Sequence, residues 1–365
     1  MHETPRRIRR KSRAVLIWTL AFFVVGQFGL GLFVYWRHPE MCDAEFRIRL
    51  RDLRARLAEA PGRPLAMIVG SSRTAMGFRP ASASKQPATD KREPVLFNFG
   101  MLGSGPVRER MILRRVLHNG VKPEWLFVEV WAPFLLQRGF FEEGHYIFER
   151  DMYWEDVPVM SRLYRRRWDA FTNVVEATVS PAVHYRMSLL GRYAPFLVPP
   201  LSSISLDFGE LAWEKLDGAG WLPSPFERPG PEGFAEAMER GKTLTKPLLD
   251  EFQISEVSDR ALCDLLDECR THGIRVALII LPEHSALRGW YPPSTRASLT
   301  AYLLRLGATY HAPVIDARTW CGDEEFVDYC HLQPVGARSF SERFGREVYR
   351  PLLEGQAPAD AILLH

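Results

Sequence analysis

Long apolar runs are nearly absent from this 365-residue chain: one stretch alone passes 18 residues without a charge. A single membrane-spanning helix is therefore expected. Cysteine is scarce as well, with five residues at 42, 263, 269, 321 and 330, an odd count that leaves at least one thiol unpaired. No H-E-x-x-H, Walker loop or zinc-finger spacing occurs, so the sequence gives no support to a metalloprotease or a nucleotide-dependent enzyme. Two cysteines and His331 match no recognised zinc spacing, and no metal is expected. Nor is the body basic. The first thirteen residues, MHETPRRIRRKSR, hold six of the 47 Lys and Arg and one of the 44 acidic residues. The remaining chain is close to neutral, and no nucleic-acid partner is expected.

The exceptional run is AVLIWTLAFFVVGQFGLGLFVYW, residues 14–36. As a helix it would be roughly 35 Å long, against about 30 Å of bilayer hydrocarbon. Trp18 lies near one end and Tyr35–Trp36 at the other, where interfacial aromatics belong. The run is long for a cleaved signal core, and the following RHPEMCDA has no A-x-A-like cleavage site, so a retained anchor is expected. The Arg-rich tail before it predicts a cytoplasmic N-terminus and an exported body. This gives a basic tail (1–13), an anchor (14–36), a charged stalk helix (37–64) and a main domain (65–365). The cell inner or plasma membrane is the expected location, with the body periplasmic or extracellular. In such a body Cys321 and Cys330, which flank a short loop, are the best-placed disulfide pair.

Beyond residue 64, compact apolar runs alternate with amphipathic helices. LAMIVG (65–70), VLFNFG (95–100), EWLFVEV (124–130), IRVALIILP (274–282) and a short APVIDA read as strands. Helical spacing appears in PVRERMILRRVLHNG, SDRALCDLLDECRTHG, a segment around 294–308 and a last helix near Pro334. Continuous apolar strands separated by helices predict a parallel sheet covered on both faces: an α/β/α three-layer sandwich. Sites in open sheets of this kind lie beyond the carboxyl ends of the strands. A mostly helical insertion is expected over 133–250, and an exposed polar loop, RPASASKQPATDKREP, between the first two strands.

Three strand ends and one loop carry the chemistry. The first strand ends in VGSSRTAMGF, which puts Gly70, Ser71 and Ser72 where an open sheet exposes a nucleophile; a serine there is also a common helix cap. The second strand ends in NFGMLGSGP. Its G-x-x-G-x-G order is not the dinucleotide fingerprint, and the Gly100 N–H is a candidate oxyanion donor. Near the C-terminus, FVDYCH sets Asp328 three residues before His331. A carboxylate so placed accepts the ring's Nδ1–H and leaves Nε2 facing a hydroxyl, as a serine nucleophile requires. Arg73, Glu283 and His284 are candidates to line the same cleft, His284 also as a second base.

In this order the blocks resemble the SGNH (GDSL-like) hydrolase superfamily. The chain is most similar to membrane-anchored members that act in O-acylation of cell-surface polymers, such as the alginate acetylation and teichoic-acid D-alanylation proteins. GSS at 70–72 matches the G-D-S block, Gly100 the second-block glycine, and Asp328 and His331 the terminal D-x-x-H. The resemblance implies a flavodoxin-like sheet, Ser72 as nucleophile, His331 as base, Asp328 as its orienter, and the N–H groups of Ser72 and Gly100 as the oxyanion hole. It covers about 65–131 and 255–353. It departs at the third block, where VEVWAP replaces a G-x-N-D sequence and its oxyanion-binding Asn.

The implied function is a serine-dependent esterase or O-acyltransferase, needing no cofactor, acting on a cell-envelope polysaccharide. Its partners would be the lipid bilayer, an acylated polysaccharide or acyl donor, and a membrane-bound O-acyltransferase. A non-catalytic binding or assembly subunit on the same scaffold is the alternative. The topology is directly testable: an alkaline phosphatase reporter fused after residue 60 should be active, and a cytoplasmic reading would end the case for export.

Overall fold

The computed structural model describes residues 5–37, 43–84, 93–144, 147, 152–164, 167–197, 215–224 and 228–356. Cys42 and residues 85–92 of the expected polar loop lie outside these. Contacts divide the chain into two units, 1–47 with 148–210 and 48–147 with 211–365.

In the first unit, α1 (Pro5–Arg37) carries both the basic tail and the apolar run in one continuous helix. Its Ser12–Val34 portion is 23 residues long and apolar enough to cross a membrane. The unit also contains α7 (Val157–Tyr164), α8 (Arg167–Val179), α9 (Pro181–His184) and α10 (Arg186–Tyr193). Next along the chain is α2 (Ala44–Glu59), capped where the Phe46 N–H donates to Asp43 Oδ1 at 3.0 Å.

The second unit is built on five parallel strands in the order β2-β1-β3-β4-β5. They are β1 (Leu65–Gly70), β2 (Val95–Gly100), β3 (Trp125–Glu129), β4 (Arg275–Ile280) and β5 (Val314–Asp316). The apolar runs of the sequence thus fall on the strands, and every residue of β1, β2 and β3 is buried. Both faces therefore have to be covered. On one face Ile68, Phe127, Ile279 and Ile315 join Phe78, Phe340 and Phe344 in a continuous core. The Phe344 ring meets Phe78 and Phe127 edge-on, at centroid distances of 5.1 and 5.0 Å.

Helix boundaries follow local chemistry. Pro106 opens α5 (Pro106–His118), where a missing N–H costs nothing. Its buried face holds Met111, Ile112, Leu113 and Val116. Ser255 caps α12 (Glu256–His272), and Gly273, at φ 65°, ends it in the left-handed conformation. Pro293 begins α14 (Pro293–Tyr310), and Pro334 begins α15 (Pro334–Phe344). The unit also holds α4 (Pro80–Ala83), α6 (Ala132–Leu136), α11 (Pro231–Asp250) and α13 (Ser285–Trp290). One more, α3 (Ser72–Gly77), starts directly at the end of β1 and carries the serine singled out above.

Register brings the strand ends level. Gly70 pairs with Gly100, and Val69 with Val128, so β1 ends beside both the β2 glycine and Glu129. The chain leaves β1 for β2 on one side and reaches β3 on the other. The β1–β3 boundary is therefore the switch point at which such sheets open a crevice.

Candidate active site

The terminal loop folds on itself before it meets anything else. Asp328 Oδ1 accepts the backbone N–H groups of Cys330 and His331, both at 2.8 Å. The Val327 N–H donates to the His331 carbonyl at 2.9 Å, and Phe326 bridges Leu332 in antiparallel fashion. Phe326 and Leu332 are buried in the core beneath the sheet face described above, which fixes both ends of the loop. Asp328 keeps its second oxygen free for the ring: Oδ2 lies 2.8 Å from His331 Nδ1.

At the other end of the sequence, Ser71 caps α3 by accepting the Arg73 N–H, which leaves Ser72 at the first helical position. The Ser72 Oγ stands 2.8 Å from His331 Nε2. A carboxylate only accepts, so Nδ1 carries a proton, and in the neutral ring Nε2 accepts the Ser72 O–H. Ser72, His331 and Asp328 thus form one unbroken hydrogen-bond chain.

Burial opposes charge on this imidazole, yet the Asp328 carboxylate outweighs it and holds His331 well above the usual histidine range. Cys330 adds to the same direction only when ionised, and burial followed by the Asp328 charge pushes that thiol up. Burial would raise the Asp328 carboxyl too, but the His331 charge and the hydrogen bonds just named bring it down to about 2. Cys330 Sγ, His331 Nδ1 and an Asp328 oxygen lie within 4.8 Å of one another, the one such trio of metal-ligating types among the described residues. Two of its three donor atoms are already hydrogen-bonded to each other, which suits a dyad better than a ligand set. The expected Cys321–Cys330 disulfide is absent: both are thiols, Cys330 Sγ turned 3.5 Å from His331 Nδ1 and Cys321 Sγ 3.9 Å from the Gly336 carbonyl.

Beneath the serine turn is a buried polar network that the sequence did not announce. Glu129, at the end of β3, is 3% exposed. Its Oε2 accepts the Ser71 N–H at 2.7 Å and the Thr74 hydroxyl at 2.6 Å, and the Ser71 hydroxyl donates to the same carboxylate. Arg73 supplies the countercharge, its Nη1 3.4 Å from Glu129 Oε1, with the guanidinium over the Trp131 ring. It also donates to the Leu281 and Pro282 carbonyls beyond β4, at 3.0 Å each. Glu283 lies 3.9 Å from Arg73 and accepts the Tyr291 hydroxyl at 2.9 Å; burial pushes its carboxyl up, against the pull of Arg73. A Cβ on Gly70 would fall within 2.4 Å of Glu129 Oε2, so only glycine fits there.

Three expected roles change. Arg73 and Glu283 are buried parts of this network and do not line an open cleft. His284 caps α13, accepting the Ala286 N–H at 3.1 Å, with Nε2 3.8 Å from Asp323; burial lowers its pKa, and its two ring nitrogens are taken up by these contacts. The Gly100 N–H is turned inward to Asn98 Oδ1 at 2.8 Å, because the Asn98 amide is fixed between Gly100 and the carbonyls of Thr74, Ala75 and Phe78. The expected second oxyanion donor is thereby occupied. The Ser72 N–H, at the start of α3, carries no such bond.

No protein-family model matches the chain, and no curated protein matches it.

Two measurements check this geometry. Glu129→Ala strands the buried Arg73 charge and should cost about 3–5 kcal/mol in guanidinium unfolding of the detergent-solubilised chain; an unchanged midpoint would exclude a structural role for the network. The His331–Asp328 pair stabilises the fold fully below the ordinary histidine pKa near 6.5, and that contribution is lost as pH rises through the higher folded value. The Asp328 contribution is complete above about 4 and fades as pH falls through about 2. Ring NMR should place His331 above 6.5, and Asp328→Asn should bring it back down. A midpoint that ignores that substitution would remove the carboxylate as its cause.

Proposed function

We propose that the protein is a membrane-anchored serine esterase or O-acyltransferase on an SGNH-type three-layer scaffold, acting on a cell-envelope polysaccharide outside the cytoplasm. The observation that carries this reading is the hydrogen-bond chain from Ser72 Oγ through His331 to Asp328, 2.8 Å at each step. The strand order and the position of Ser72 at the β1–β3 switch point support the scaffold.

Ser72 Oγ attacks the acyl carbonyl while its proton passes to His331 Nε2. The ring then returns that proton to the departing alcohol oxygen, and an acyl–Ser72 ester remains. Water as second acceptor completes an esterase cycle; a sugar hydroxyl completes a transfer. Asp328 holds the Nδ1–H tautomer and offsets the imidazolium charge. The Ser72 N–H, at a helix start, faces the developing oxyanion. With the Gly100 N–H committed to Asn98, the hole lacks a donor worth about 10²–10³ in turnover. That loss is the observation favouring the second reading, a binding or assembly subunit working beside a membrane-bound O-acyltransferase.

A fluorophosphonate probe separates the two. The wild-type chain should label at Ser72, and Ser72→Ala should abolish the signal. His331→Ala and Asp328→Asn should slow labelling by about 10²–10⁴-fold. Since Nε2 must be unprotonated to accept the serine proton, the rate should climb with pH through a midpoint above 6.5. A folded wild type that does not label, and does not cleave p-nitrophenyl acetate, would leave the subunit reading.

A further inference from the structure

The helical unit that contains α1 carries a second set of contacts, independent of the triad. Most side chains of the apolar run are open, Phe22 and Phe28 at 73% and 67% exposure. The face bearing Gln27, Leu30, Gly31 and Val34 is less exposed, and Val34 is fully buried. Those positions follow helical spacing, so they form one stripe. Against that side of α1 pack α8 and α9. Pro181 comes within 3.6 Å of where a Cβ on Gly31 would stand, and the Tyr193 ring lies 6.5 Å from Phe33. The Ala182 N–H donates to Gln27 Oε1 at 3.2 Å.

That last bond is informative because of where Gln27 is. It lies seven residues before Val34, so about 10 Å along the axis inside the end of the apolar run nearest the body. Ala182 is in the first turn of α9, where backbone N–H groups have no acceptor within their own helix. Water would satisfy an amide side chain and a free N–H separately; hydrocarbon satisfies neither, and there they must find each other. The segment around this junction leaves Val179, Val183, Phe196 and Leu197 exposed, Phe196 at 83%. It also has an exposed arginine, Arg186, whose Nη1 donates to the Val183 carbonyl at 2.6 Å and so satisfies a backbone acceptor of the segment from within.

We propose that residues 179–197 enter the membrane leaflet on the body's side as a monotopic element, seated on the Gln27–Val34 stripe with the exposed apolar side chains among the lipid acyl chains. The occupant of this surface is the bilayer hydrocarbon. The proposal rests on reading Ser12–Val34 as a membrane span, because a backbone bonded to Gln27 cannot then stand clear of the leaflet. The chain is thus held by a crossing helix and by a second element that dips in and returns to the same side.

Bimane attached to single introduced cysteines in the full-length chain tests both levels. The protein is placed in lipid nanodiscs whose phosphatidylcholine acyl chains are plain or dibrominated, and the parent chain's own thiol signal is subtracted. Phe28→Cys reports the span, Val183→Cys and Phe196→Cys report the segment, and Glu239→Cys, on an exposed face of α11, sets the aqueous baseline. Brominated lipid should quench positions 28, 183 and 196 by about twofold or more and leave 239 unchanged. Quenching at 28 with 183 and 196 behaving like 239 would overturn the leaflet insertion and leave the span intact. No quenching at 28 would overturn the span and the insertion together.

Discussion

The Glu129 carboxylate accepts the Ser71 amide, the Ser71 hydroxyl and the Thr74 hydroxyl at the junction of β1 and α3, out of contact with water. Everything proposed for Ser72 depends on that turn keeping its shape. Arg73 balances the charge and reaches across to the carbonyls beyond β4, where Glu283 and Tyr291 continue the chain of contacts. The carboxyl ends of three neighbouring strands are therefore tied by one electrostatic network. Buried ion pairs seldom out-stabilise well-packed apolar residues, because desolvation cancels much of the attraction. What this network adds is definition: donors and acceptors that match in only one arrangement of the turn.

The acid–base pair is supported differently. Its loop is local, closed by its own backbone bonds, and clamped where Phe326 and Leu332 enter the core. That core is aromatic, with Phe78, Phe127 and Phe344 packed edge to face, so the loop and the serine-bearing helix share one rigid floor. Two supports of unlike kind, one polar and one apolar, converge on a single hydrogen bond between Ser72 and His331.

Much of this was legible in the sequence for simple reasons. Strands buried on both faces must be continuously apolar, and the runs at 65–70 and 95–100 coincide with β1 and β2. A carboxylate three residues from a histidine is a local relation, so Asp328 and His331 needed no tertiary knowledge to pair. Glu129 was harder to read, since a lone acid near the end of an apolar strand looks like an interruption, and its partners lie 58 and 55 positions earlier. Gly100 shows the opposite limit: its position on β2 was foreseeable, whereas the direction of its N–H was set by a side chain two residues away. The cysteines failed for a related reason, because spacing says nothing about where two sulfur atoms point.

The closed loop around Asp328 has a mechanical corollary. Base and orienting carboxylate are carried on the same few residues, with their mutual bond braced by the backbone, so they translate as one rigid piece. Ser72 rides on a separate element, 259 positions away in the chain. A shift of Ser72 relative to the loop leaves the imidazole oriented in its Nδ1–H tautomer while opening the one gap a proton has to cross. The proton relay therefore has a single break point, and it falls at Oγ···Nε2.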